Sequence, residues 1–185
     1  AGKAMTTAVK NTLIGGLAGD AITVGSDNVA LGYGSLSTNV GGAGNVAVGG
    51  QALETANPGS TASATYNTAV GYKAGLSVTT GDESTFIGAQ AGAFATTADR
   101  STFIGFRAGQ GITGTKLTGN NNTAVGHSAG LLLQGAASEN CLFGAYTGDA
   151  ITTGGENCLF GLGAGGSIQT SIRNTFFGDD AGNLC

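Results

Sequence analysis

One short phrase, Asn-Thr-Ala-Val-Gly-x-x-Ala-Gly, recurs ten times along this chain, in its fullest form from Asn67 to Gly75. The copies begin at Asn11, Asn28, Asn45, Asn67, Ser84, Ser101, Asn122, Asn140, Asn157 and Asn174, at spacings of 17, 17, 22, 17, 17, 21, 18, 17 and 17 residues. A period near 17 is too short for paired-helix repeats. It suits one coil of a β-solenoid, in which each repeat cannot bury its own apolar face and must stack on its neighbours. The expected fold is all-β: a parallel β-solenoid of about ten 17-residue coils, a single repeat domain over residues 1–185 with a partial repeat at 1–10.

Composition supports this by exclusion. Glycine supplies 36 residues, proline one, and charged side chains only 10 % of the chain. Collagen needs glycine at every third position, which is not the pattern here. Disorder needs low hydrophobicity or high net charge, and neither holds. A net charge of −4 without a Lys/Arg cluster argues against nucleic acid as a partner. The longest apolar runs, such as Leu131-Leu132-Leu133, are too short for insertion into a membrane as a helix. No basic-then-apolar leader stands at the front of the sequence.

Numbering each repeat from its Asn or Ser as position zero exposes the coil. Position four is glycine in all ten copies, from Gly15 to Gly178, which marks a bend or a close backbone approach. Position seven is always small (Ala18, Ser35, Ala52 and onward), and position eleven is mostly apolar, as in Ile22, Val78, Ile112, Leu133, Ile151 and Ile168. Both read as inward-facing slots. Position zero predicts an Asn ladder, each amide bonding to the next rung.

Positions two and three are both apolar throughout, and adjacent strand residues point to opposite faces. One face fills the coil, and the other is expected to be covered by a second or third copy of the chain. Positions five and six are variable and polar (Tyr33, Tyr72, Phe106, His127; Gln51, Lys73, Arg107, Asp180) and read as a solvent-facing row. The two length inserts fall within 54–66, which holds Pro58, and within 111–121; in a solenoid such inserts form loops on one side. Both chain ends fall in phase with the repeat, Met5 and Cys185 at position eleven, without a polar cap. That leaves two expectations open: a segment of a longer fibre, or subunits stacking end to end.

No residue is assigned a catalytic, cofactor-binding or metal-binding role, and the chain is read as non-enzymatic with no cofactor. His127 is the only histidine and sits at a variable surface position. Gly161-x-Gly163-x-x-Gly166 spells a dinucleotide fingerprint but lies inside an ordinary repeat. Asp179-Asp180 reads as a solvated edge, and Glu54, Glu83, Glu139 and Glu156 as loop residues that do not face one another. Cys141 and Cys158 occupy position one of neighbouring repeats and should stack one rung apart; free thiols, an intrachain disulfide and links between chains all remain open. The threonines at position one (Thr12, Thr68, Thr85, Thr102, Thr123, Thr175) are interrupted by Val29, Val46, Cys141 and Cys158, which suits a packed ladder better than an ice-binding face. Asn121 begins the sole N-glycosylation sequon.

The phrase at 67–75, with variants Asn45-Val-Ala-Val-Gly and Ser101-Thr-Phe-Ile-Gly, resembles two groups: the YadA-like heads of trimeric autotransporter adhesins, and the Asn-Thr-Ala-Val-Gly repeat regions of phage tail fibres. The resemblance implies a left-handed parallel β-roll, commonly a homotrimer, displayed outside a cell or virion. The adhesin heads have shorter repeats, so a wider coil is expected here. The functional expectation is an extracellular, fibre-forming structural or adhesion rod that meets a cell-surface receptor or glycan through many weak contacts. The alternative is a purely structural filament subunit polymerising end to end.

Overall fold

A computed structural model of the chain describes residues 1–183, and none of them is helical. Its strands, in chain order, are β1 (Thr12–Ile14), β2 (Val29–Leu31), β3 (Gly42–Ala43), β4 (Val46–Val48), β5 (Ser63–Ala64), β6 (Thr68–Val70), β7 (Thr85–Ile87), β8 (Thr102–Ile104), β9 (Thr123–Val125), β10 (Cys141–Phe143), β11 (Cys158–Phe160) and β12 (Thr175–Phe177). Ten of them, all but β3 and β5, form one parallel sheet in sequence order. Each occupies positions one to three of its repeat, and position one pairs with position one throughout, as in Thr85↔Thr102 and Cys141↔Cys158. The chain is a parallel β-solenoid of about ten turns. At roughly 4.8 Å per rung the stack is about 48 Å long.

Position two points inward. Ala30, Ala47, Ala69, Phe86, Phe103, Ala124, Leu142 and Leu159 are all fully buried. Position seven joins them from Ala18 to Ala164, as do the position-eleven residues Ile22, Val78, Leu133 and Ile151. These three columns make one continuous core along the axis. Burying each large member contributes on the order of 1.5–3 kcal/mol, so the stack, not any one coil, carries the fold.

Size is traded between positions two and eight in eight of the ten rungs; Ala69 with Gly75 and Ala124 with Gly130 are small at both, and side chains from neighbouring positions, such as Leu53 and Phe86 at Gly75, fill the space. Where position two is large, position eight is glycine in the left-handed region, as in Phe103 with Gly109 (φ 53°) and Leu13 with Gly19 (φ 56°). In two rungs the pattern inverts. Ala30 and Ala47 are accompanied by Leu36 (φ 49°) and Leu53 (φ 48°), both fully buried. A leucine at positive φ costs on the order of 1–2 kcal/mol, offset here by the core volume that it fills.

Position-four glycine has two separate reasons. At Gly88 the φ of 127° is closed to residues with a side chain, and an added Cβ would stand 2.5 Å from the carbonyl oxygen of Gly105 on the next rung. The coils stack glycine on glycine at this bend.

The Asn column at position zero is buried, from Asn28 to Asn157, and it works rung to rung. Asn28 N–H donates to Asn11 Oδ1 at 2.9 Å, Asn45 N–H to Asn28 Oδ1 at 2.9 Å, and Ser84 N–H to Asn67 Oδ1 at 3.0 Å. Where serine stands, its hydroxyl takes over: Ser101 N–H donates to Ser84 Oγ at 3.0 Å. The Nδ2 groups cross the coil to main-chain carbonyls, for example Asn67 to Gly81 O at 2.8 Å. The ladder therefore satisfies buried backbone groups as well as linking amides to one another.

One slot is filled differently from expectation. Ile112 does not occupy the position-eleven slot of its repeat. It is half-buried, and Leu117 is the fully buried residue, bridging to Ala95 and to Gly135. The four-residue insert enters ahead of the slot, so Thr113–Lys116 project and the chain returns at Leu117. In the other insert, Ser63–Ala64 pairs with Gly42–Ala43 of the preceding coil as a two-stranded ribbon.

Candidate interaction faces

Three surfaces run the length of the solenoid. The first is the outer side of the sheet, built by positions one and three. Position three is wholly apolar, running Ile14, Leu31, Val48, Val70, Ile87, Ile104, Val125, Phe143, Phe160 and Phe177. Ile14 is 58 % exposed, Leu31 44 % and Phe177 76 %, whereas their inward-pointing strand neighbours are fully buried (Ala30) or, at the two end strands, partly buried (Leu13 and Phe176). Phe143 and Phe160 stack with centroids 4.8 Å apart and planes 5° from parallel, and Phe160 stacks on Phe177 at 5.0 Å. No Asp, Glu, Lys or Arg occurs among the outer-face residues of the ten strands. A strip about 48 Å by 10 Å offers roughly 500 Å² per copy, so two facing copies reach the ~1,000 Å² floor of a specific interface.

Cys141 and Cys158 lie on this face, in register and as free thiols with no disulfide between them. Burial, and then the neighbouring Cys158, push the Cys141 thiol up from its ordinary value. Cys185 lies outside the described residues. The position-one threonines share the face with the apolar column.

The second surface is the ridge at positions five and six. Tyr33, Tyr72, Phe106, His127 and Tyr146 are exposed along it. Three of these rings pack in series: His127 lies 5.3 Å from Phe106 and 5.0 Å from Tyr146. Lys73 sits 5.1 Å above the Tyr72 ring and Arg107 5.0 Å above Phe106. His127 is thus one ring of an aromatic stack. The row is not uniformly exposed, since Gly34 and Ser128 at position six are buried. Asp179 and Asp180 lie exposed on the same ridge, Asp180 accepting from Asn183 Nδ2 at 2.9 Å.

The third surface is a charged column immediately before position zero, which the sequence reading did not single out. Lys10, Asp27, Tyr66, Glu83, Arg100, Asn121, Glu139, Glu156 and Arg173 all adopt positive φ there. Arg173 bonds both carboxylate oxygens of Glu156, at 2.8 and 3.1 Å, which holds Glu156 below the usual carboxylate range. Lys10 meets Asp27 at 4.0 Å, and Arg100 Nε donates to Asn121 at 3.0 Å. Glu83, Glu139 and Glu156 share this column outside the strands, the last two on adjacent rungs, with Glu156 turned to Arg173. Glu54 stands elsewhere and accepts from Gln51 at 2.8 Å. One step earlier, Asp82 and Asp99 stack, Asp82 N–H donating to Asp99 Oδ1 at 3.2 Å. Burial, then Asp99 and Glu83, raise the Asp82 pKa.

Gly161, Gly163 and Gly166 lie at a strand end and its turn, with no helix following. Among the described residues no cavity opens and no group of three potential metal ligands forms. No helix there is long and apolar enough to cross a membrane. Comparisons with family models, with curated proteins and with solved structures returned no match, so the likeness to adhesin heads and tail fibres rests on the repeat phrase alone.

Proposed function

We propose that this chain is a structural rod of an extracellular fibre, associating laterally with copies of itself through the outer face of its sheet and presenting its aromatic and charged rows for adhesion. One observation carries the reading: the uncharged, apolar position-three column stands open to solvent on a sheet whose other side is a finished core. Parallel sheets are ordinarily covered on both faces. A second copy meets the need with no further sequence, because the column is self-complementary and repeats at the rung spacing along its whole length. The reading includes trimeric association and a left-handed winding, as in the families that the repeat phrase resembles. The ridge of Tyr72, Lys73, Phe106, Arg107 and His127 then faces outward on every copy, so a weak contact with a receptor or glycan is multiplied within one rod and again across the bundle.

Electron microscopy of the purified chain tests the reading. Short rods with a threefold or twofold cross-section support it. Long filaments with the solenoid running along the axis favour the rival, an end-to-end structural polymer. Isolated single solenoids contradict both.

A further inference from the structure

The geometry points to Cys141 and Cys158 as a binding site for a soft monovalent cation, copper(I), held between the two thiolates in linear coordination. The two residues are register partners on adjacent parallel strands and both face outward. On the same two strands and the same face, the Phe143 and Phe160 rings stack 4.8 Å apart and only 5° from parallel, so side chains here leave the sheet side by side at the rung spacing. That spacing discriminates between partners for the thiols. A disulfide wants Cβ atoms about 3.5–4.5 Å apart, with a twist near 90° about the sulfurs, which two parallel side chains reach only by distortion. With the zinc–thiolate length of about 2.3 Å as an upper guide, a cation bonded linearly to two thiolates spans up to roughly 4.6 Å from sulfur to sulfur, within reach of side chains at the rung spacing.

Ligand chemistry selects the ion. Thiolates are soft donors and favour copper(I) among first-row metals. No third His, Cys, Asp or Glu joins the pair among the described residues, so a tetrahedral zinc site cannot form from them. Thr123 and Thr175 flank the pair in the column, and the stacked Phe143 and Phe160 stand two residues along on the same face. Binding forms two S–Cu bonds, releases one proton from each thiol and leaves copper in its +1 state, so no oxidant or reductant is consumed.

The pair lies on the face that lateral association would cover, so the titration is run on the associating chain and also in an Ile87→Lys/Val125→Lys background, in which that face is open. The experiment is anaerobic titration of the 185-residue chain carrying Cys185→Ser with copper(I), against a chromophoric copper(I) chelator as competitor. The expected result is one copper(I) per chain, with affinity lost by about 10²-fold or more in Cys141→Ser and in Cys158→Ser, since a chelate becomes a single ligand. Each variant's melting curve should match that of its metal-free parent, which separates lost binding from lost folding. Failure to compete with the chelator would overturn the proposal, as would binding that survives either serine substitution. So would a Cys141–Cys158 disulfide that forms quantitatively in preference to the metal complex.

Discussion

The ring of Phe103 lies across the backbone of Gly109, six residues on in the same coil: a Cβ at 109 would stand 2.5 Å from the ring's Cγ and Cδ1. Gly109→Ala therefore meets both the ring and a φ of 53°. The expected loss is about 2–5 kcal/mol, the sum of overpacking and left-handed strain. In a Phe103→Ala background the same substitution should cost only about 1–2 kcal/mol, because the strain remains and the clash does not. Urea denaturation of the four proteins checks the coupling.

The inverted rungs allow a complementary test. Leu36→Gly alone should cost about 2–5 kcal/mol by leaving a cavity beneath Ala30. The double variant Ala30→Leu/Leu36→Gly reproduces the Leu13–Gly19 arrangement and should recover most of that loss. If thermal denaturation shows the two changes adding, the size exchange between positions two and eight is wrong.

At the ladder, Asn140 Oδ1 accepts from both the backbone N–H and the side-chain Nδ2 of Asn157, while Asn140 Nδ2 donates to Gly154 O at 2.9 Å and to Asn122 Oδ1 at 3.0 Å. Asn140→Ala leaves buried polar groups without partners and should cost at least about 2 kcal/mol. Asn140→Ser should cost distinctly less, because Ser84 and Ser101 already fill the same place in their rungs. Hydrogen exchange at the Asn157 amide would report the difference directly.

Asp82 predicts a pH dependence. Its folded-state pKa is raised above the ordinary 3.8, chiefly by burial and then by Asp99 and Glu83. The folded state thus holds this proton more tightly than the unfolded chain does. Its penalty is absent at pH values below 3.8 and develops as pH rises from there through the folded-state pKa. Asp82→Asn should raise stability at neutral pH by less than about 1 kcal/mol, given the partial exposure of the site, and leave it unchanged in acid. Melting temperatures at pH 3 and pH 7 test the sign.

Strand phase, the position-four glycines, the small position-seven residues and the Asn column were legible in the sequence because each slot tolerates few residue types and recurs ten times. The slot filled by Leu117 was not, since a 21-residue spacing does not say where its extra residues enter. The charged column was hidden for a different reason. Left-handed backbone is usually read from Gly or Asn, but here Lys10, Glu83, Arg100 and Glu156 adopt it, held by main-chain bonds to neighbouring rungs such as Glu83 N–H to Thr65 O at 2.8 Å. Residue type does not report a conformation that the stack imposes. The apolar character of position three was legible because its ten residues, from Ile14 to Phe177, are all large and uncharged.

Sedimentation velocity of the wild-type chain beside Ile87→Lys/Val125→Lys tests that cover most directly. Both substitutions place charge on the outer face of β7 and β9 and leave the buried Phe86 and Ala124 untouched. The proposed function predicts a wild-type dimer or trimer and a variant monomer with an unchanged β-sheet circular-dichroism spectrum. A wild-type monomer across the micromolar range, or an oligomer that survives both lysines, would contradict it.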